Sequence, residues 1–219
     1  MQLTQLLSTN IPQLSMQDTV GKALSLMEDF EISQLCITQK ENFIGIISKD
    51  DLLLLPTTAL LTTVQEYCVH YTVLESEHVS KAIYTITEHN LCILPVLSKD
   101  RTYIGVLTTT QLLHHMSRYI DAATPGGIII LEMERRNYSF SEISRLVETH
   151  DVLITQLNTT TDQATGLMQV TLKLNKTEIA DIIATFQRFE FTVLQYYGDE
   201  AYTNELQDNY SHLMHYLNL

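Results

Sequence analysis

Two stretches of the chain carry the same alternation of apolar and polar positions. Val20, Ala23, Leu24 and Met27 fall on one face of a helix, and Val79, Ala82, Ile83 and Ile86 lay down the same stripe 59 positions later. Val20, Lys22, Ala23 and Leu35 recur as Val79, Lys81, Ala82 and Leu94, and Ile44-Gly45 recurs as Ile104-Gly105 after one inserted residue. In each copy the helix is followed by an apolar run (35–37 or 92–97), a polar turn (KEN or SKDR) and a second apolar run (43–47 or 103–107). That order predicts strand, turn, strand. A second helix opens at Ser48 or Thr108 and carries leucines at 52–55 or at Leu112 and Leu113. Such a unit has too little core to stand alone, so the two copies are expected to pack together.

Beyond Asp121 the sequence AATPGG breaks the pattern with a proline and paired glycines, a candidate hinge. A different grammar follows: a strand over 128–133, a helix over 139–148, and strands over 152–158 and 167–174 flanking a polar turn. A helix over 178–189 and a strand over 191–197 complete it. The order βαββαβ predicts a ferredoxin-like domain. Leu206, Tyr210, Leu213, Met214 and Leu217 share one face of a final docking helix. The expected fold class is α+β, with a repeat pair over 1–121 (repeats about 1–60 and 61–121), a second domain over 127–198 and a C-terminal helix over 199–219.

The 219 residues are 45% hydrophobic, enough for packed cores without staples. Thirteen Lys and Arg stand against 26 Asp and Glu, a net charge of -13, which disfavours nucleic acid and anionic membranes as partners. Cys36, Cys68 and Cys92 lie in apolar surroundings without metal or redox spacing and read as reduced, buried thiols. The N-terminal MQLTQLLSTN lacks a basic stretch leading into an apolar core, and the apolar runs are too short to span a bilayer. A cytoplasmic location is expected.

The repeated frame resembles the paired CBS repeats named after cystathionine β-synthase, followed by an ACT-like domain, as in bacterial regulators of the acetoin-utilisation type. The motif carrying the resemblance is GIISKDD, with Gly45, Ser48 and Asp51 at successive intervals of three. The second copy, GVLTTTQ, keeps Gly105 and Thr108 but has Gln111 in place of the acid. Leu94-Pro95-Val96 matches the family's strand start, whereas the first repeat has Leu35-Cys36-Ile37. The resemblance implies a nucleotide site with Asp51 on the ribose, Ser48 beside phosphate, backbone around Ile11 near the base, and Thr108 at the related place in a second, weaker site. The same S-x-x-D spacing is also a helix capping box, whose side chains satisfy free backbone N–H groups. Gln111 can cap equally well, yet cannot offer two ribose hydroxyls the charge-assisted acceptance of a carboxylate. Lys49, Lys99, Arg101 and Arg118 are the cations available to a phosphate, together with the two helix N-termini. With so few cations in an acidic chain, AMP or another lightly charged adenosine compound is favoured over ATP.

Asp208, His212 and His215 share a helix face at spacings a metal could use, but exposed helical histidines explain them as well, and no metal is expected. Arg135-Arg136-Asn137 stands where amino-acid-binding ACT relatives have a glycine-containing loop, and reads as a solvated turn. No nucleophile or acid pair is marked out, so no catalytic residue and no required cofactor is expected. Two functions compete. In the first, a non-catalytic energy sensor forms a homodimer, binds an adenosine nucleotide and signals to a protein target. In the second, a ligand-free dimeric scaffold keeps the CBS fold.

Overall fold

The computed structural model describes residues 3–8 and 10–198. The chain divides into two compact units, Met1–Tyr119 and Ile120–Leu219. The first unit holds two copies of one arrangement. In the first copy β1 (Gln13–Ser15), α1 (Val20–Asp29), β2 (Gln34–Gln39), β3 (Asn42–Ser48) and α2 (Lys49–Leu53) follow one another. In the second, β4 (Val73–Leu74), α3 (Val79–Glu88), β5 (Ile93–Leu97), β6 (Tyr103–Thr108) and α4 (Thr109–Tyr119) do the same. Each makes a three-stranded sheet, β1-β2-β3 or β4-β5-β6, with the first pair parallel across the helix and the second an antiparallel hairpin. The strands β1 and β4 are too short to leave a hydrophobic period in the sequence.

Thr19 caps α1 by accepting from the Lys22 N–H, and Val20, Ala23 and Met27 on its inner face are buried. The apolar runs at β2 and β5 are continuous because both faces of these strands are covered. Leu35 and Ile37 enter the core beneath α1, while Cys36 faces the core of the second repeat beside Ile93, Val96 and Val106. The helix expected to carry leucines 52–55 is shorter than that run: α2 ends at Leu53, and Pro56 lies shortly beyond. Only Leu52 is buried, with Leu53 60% and Leu54 85% exposed.

Each repeat is closed by the segment that leads into the other. The Val69 N–H donates to the Ile46 carbonyl at 3.0 Å and the Ile46 N–H to the Val69 carbonyl at 2.8 Å. At the related place the Ser8 N–H donates to the Val106 carbonyl at 2.8 Å, and Leu3 is fully buried in the second repeat's core. Gly45 admits this approach, since a Cβ there would lie 2.6 Å from the Cys68 Cβ. Across the repeats the Gln34 side chain accepts from the Cys92 N–H at 2.8 Å, and the Tyr103 N–H donates to the Glu41 carbonyl at 2.8 Å. Cys36 and Cys68 are buried, whereas Cys92, beside the Ser33 hydroxyl at the mouth of β5, is half-exposed. Burial pushes the Cys36 thiol well above its ordinary range.

The second unit runs β7 (Ile128–Met133), α5 (Phe140–Glu148), β8 (Ile154–Thr161), β9 (Met168–Leu174), α6 (Ala180–Arg188) and β10 (Thr192–Tyr197). Its antiparallel sheet has the order β10-β7-β9-β8, the split-βαβ arrangement. Ile129 and Leu131 of β7 and Val170 and Leu172 of β9 alternate into one core with Ile143, Leu146 and Val147 of α5 and Ile182, Ile183 and Phe186 of α6. Strand β8 runs further than its apolar residues indicate, because β-branched Thr159 to Thr161 extend it along the exposed edge. The turn begins at Asp162, whose carboxylate accepts from the Ala164 and Thr165 N–H groups. The final helix expected over 199–219, with its His212, His215 and Asp208, lies outside the described residues. Among those described, no helix is long and apolar enough to cross a membrane.

The glycine pair of AATPGG is fastened into the second unit, contrary to the expected hinge. The Gly127 N–H donates to the Lys176 carbonyl and its carbonyl accepts from Leu174, both at 2.8 Å. A Cβ on Gly126 would fall 2.0 Å from the Leu174 carbonyl oxygen, and one on Gly127 would fall 2.4 Å from the Ile179 side chain. Gly126→Ala is therefore expected to lower the unfolding free energy by about 2 kcal/mol or more in chemical denaturation. An unchanged denaturation midpoint would contradict the steric account.

Candidate functional site

The residues Ser48 and Asp51 are brought together where β3 gives way to α2. Ser48 has extended backbone angles, φ -96 and ψ 156, and is the helix N-cap. Its Oγ accepts from the Asp51 N–H at 3.2 Å and donates to Asp51 Oδ2 at 2.5 Å. The Asp51 side chain thus sits on the helix start with one carboxylate oxygen engaged by Ser48, and Lys49 is its neighbour at the first helical position.

Thr108 and Gln111 occupy the related place at the start of α4, with different bonding. Thr108 Oγ1 accepts from the Gln111 N–H at 3.2 Å, while Gln111 Oε1 accepts from both the Thr108 N–H and the Thr108 hydroxyl, each at 3.2 Å. This is a reciprocal capping box. The shorter Asp51 reaches the Ser48 hydroxyl, and no bond from the Ser48 N–H to it is formed among the described residues. Gln111 is committed to the backbone; Asp51 is committed to one hydroxyl.

The family resemblance implies backbone around Ile11 near a base. Ile11 is half-buried between the two cores of the first unit, three residues past the Ser8 bridge to β6. The segment bridged to β3, the strand that leads into Ser48, is Cys68–Val69. Burial pushes the Cys68 thiol up, and the charge on Asp51 adds to the shift. The signal in the sequence was Gly45 itself, a glycine within an apolar strand, which marks a close backbone approach. Which segment approaches is not encoded locally, since the repeats exchange their leading segments.

Of the four cations expected near a phosphate, only Lys49 adjoins Ser48 in the chain. Lys99 and Arg101 lie at the β5–β6 turn, and Tyr103 beside them bonds to Glu41 at the opposite end of β3 from Ser48, about 20 Å away along the strand. Arg118 lies in the last turn of α4, about 15 Å along the helix from Thr108. Elsewhere, α3 and α4 flank an apolar groove of about 400 Å³ lined by Ile83, Ile86, Leu112, Leu113 and Met116. In the second unit a cleft of about 420 Å³ is lined by Glu132, Glu134, Glu142 and Glu190 beside Phe189 and Phe191. The neighbouring Arg135–Asn137 forms an exposed 3-10 turn in which Arg136 pairs with Glu134 at 2.7 Å. No group of His, Cys, Asp and Glu among the described residues could hold a metal ion.

The bonding difference between the repeats has a measurable consequence without any ligand. Gln111→Ala removes the acceptor of two bonds and is expected to cost about 1 kcal/mol in urea denaturation, more than Asp51→Ala. An Asp51→Ala cost equal to or above that of Gln111→Ala would overturn the assignment of capping chiefly to Gln111.

The family model of the CBS domain matches twice, at residues 3–56 and 64–118. Among solved structures, the chain is similar to a CBS domain pair/ACT domain protein from Thermotoga maritima, at 20% identity with a TM-score of 0.50, over 55% of this chain and 99% of that one. It is also similar to a protein assigned to acetoin utilization, AcuB, from Vibrio cholerae (21% identity, TM-score 0.48, 56% of this chain and 95% of that one). A third similarity is to CBSX2, solved in complex with AMP (19% identity, TM-score 0.45, 54% and 98%). The doubled family match, falling on two copies that share one topology and close each other reciprocally, identifies the first unit of this chain as a tandem pair of CBS domains.

Proposed function

We propose that the protein is a non-catalytic regulator that senses an adenosine-containing nucleotide through Ser48 and Asp51. CBS pairs commonly bind such nucleotides and act in regulation. The observation that carries the reading here is the state of Asp51, a carboxylate held at the helix start by a single hydroxyl while its counterpart Gln111 is spent on the backbone. A carboxylate so placed can accept from both ribose hydroxyls, with the α2 N-terminus and Ser48 beside the phosphate and Cys68–Val69 and Ile11 towards the base. Thr108 belongs to a second, weaker place. With Lys49 the one cation next to Ser48 in the chain, AMP is favoured over ATP.

The reading extends to the whole chain. The domains divide as a CBS pair over 1–121 and an ACT-like domain over 127–198, in a cytoplasmic homodimer that passes the signal to a protein target. The βαββαβ order supports the ACT-like assignment. The four glutamates of its cleft weigh against an amino-acid carboxylate as its ligand. The exposed Leu53 and Leu113, which hold related places in the two repeats, and the apolar groove beside Leu113 support assembly of two copies. A ligand-free scaffold is the second reading, favoured by the loss of the acid at Gln111.

AMP, ADP, ATP and S-adenosylmethionine titrated by calorimetry and melting shift separate these readings. AMP is expected to bind once per chain, with Asp51→Ala weakening it about tenfold or more and Gln111→Ala leaving it unchanged. Absence of heat and of a melting shift with all four would leave the scaffold reading in place. Leu113→Asp is expected to convert the dimer to monomer in size-exclusion chromatography, and an unchanged elution volume would count against that surface.

A further inference from the structure

The segment joining α4 to β7 is eight residues long, and its two ends are not alike. At its rear Gly126 and Gly127 are locked against Leu174, Lys176 and Ile179, as described above. At its front stands Asp121, in the left-handed region at φ 46. The Lys173 ammonium donates to the Asp121 carbonyl and lies 3.8 Å from its carboxylate. Thr124 closes the turn, its hydroxyl donating to the Asp121 carboxylate at 2.7 Å and its N–H to the Asp121 carbonyl at 3.3 Å.

Lys173 belongs to β9, and its side chain is only 13% exposed. An ammonium that far out of water must be paired, because an unpaired charge there would carry a large desolvation cost. Its carbonyl and carboxylate partners both belong to one connector residue, Asp121. The demand of the lysine is therefore also a constraint on the connector. With the bond made, Ile120 alone separates α4 from a fastened residue; with it broken, the free chain extends to Pro125.

We propose that Lys173 and Asp121 form a latch that sets how much chain lies unfastened between the two units, and so governs how far a change in the CBS pair reaches the second unit. The regulatory part of this proposal rests on the sensor reading given above. The latch itself does not.

Hydrogen exchange on the full chain tests both parts. In Lys173→Met the amides of residues 120–124 are expected to exchange about tenfold faster, while those of β7 and β9 stay protected. Lys173→Arg, which keeps the cation, should restore most of the protection. If Lys173→Met also loosens the sheet, Asp121→Gly, which removes the carboxylate but keeps the carbonyl acceptor and leaves the sequence of β9 unchanged, should give a smaller rise confined to the same segment. Equal exchange of 120–124 in wild type and in both variants, with the sheet protected, overturns the latch. In a second arm AMP is added. Wild type should change its exchange over 120–124 on binding, and Lys173→Met should not, at equal calorimetric affinity. The same AMP response in both proteins overturns the regulatory role. Absence of AMP heat in either refutes the sensor reading and leaves the latch to be judged on the first arm.

Discussion

The exchange of leading segments between the two repeats is the constraint on which the first unit depends. A three-stranded sheet with one short parallel strand has an open edge at its hairpin, and an unpaired edge is a liability. Here Val69 lies on Ile46 and Ser8 on Val106, so each repeat covers the other's third strand. Glycine at position 45 follows from that approach, as does the burial of both faces of β2 and β5. The place of the candidate site follows too. Cys68 and Val69 are delivered from outside the first repeat to β3, the strand that leads into Ser48.

The two halves of the pair share this geometry and differ in what their helix starts can do. A glutamine is long enough to reach back to the backbone N–H of the cap, and its amide oxygen then holds both groups of Thr108. An aspartate at the same place reaches the hydroxyl and goes no further. One methylene and one charge thereby separate a closed structural cap from a carboxylate with acceptance to spare.

Much of this was legible in the residues. The stripe at Val20, Ala23 and Met27 and its recurrence at Val79, Ala82 and Ile86 are set by helix geometry, and the structure buries those side chains. The element order of the second unit could be read because Ile129, Leu131, Val170 and Leu172 alternate against two amphipathic helices. What escaped the sequence lay in contacts between distant segments. Ile11 and Cys68 are both short apolar neighbours of a strand, and nothing in their local pattern says which repeat each will serve. Thr159 to Thr161 read as a turn by polarity, yet their branched side chains suit an exposed strand edge. Gly126 and Gly127 look like flexibility and are in fact the mark of two backbones passing too closely for a side chain.

The 2.5 Å bond between Ser48 and Asp51 has a consequence for the start of α2. The hydroxyl that fixes the carboxylate also holds the Asp51 N–H at the first turn of a helix only five residues long, so the setting of the carboxylate and the start of α2 depend on one side chain. So short a helix has few bonds of its own to fall back on. A change at Ser48 would therefore disturb the start of α2 and the setting of the Asp51 carboxylate together.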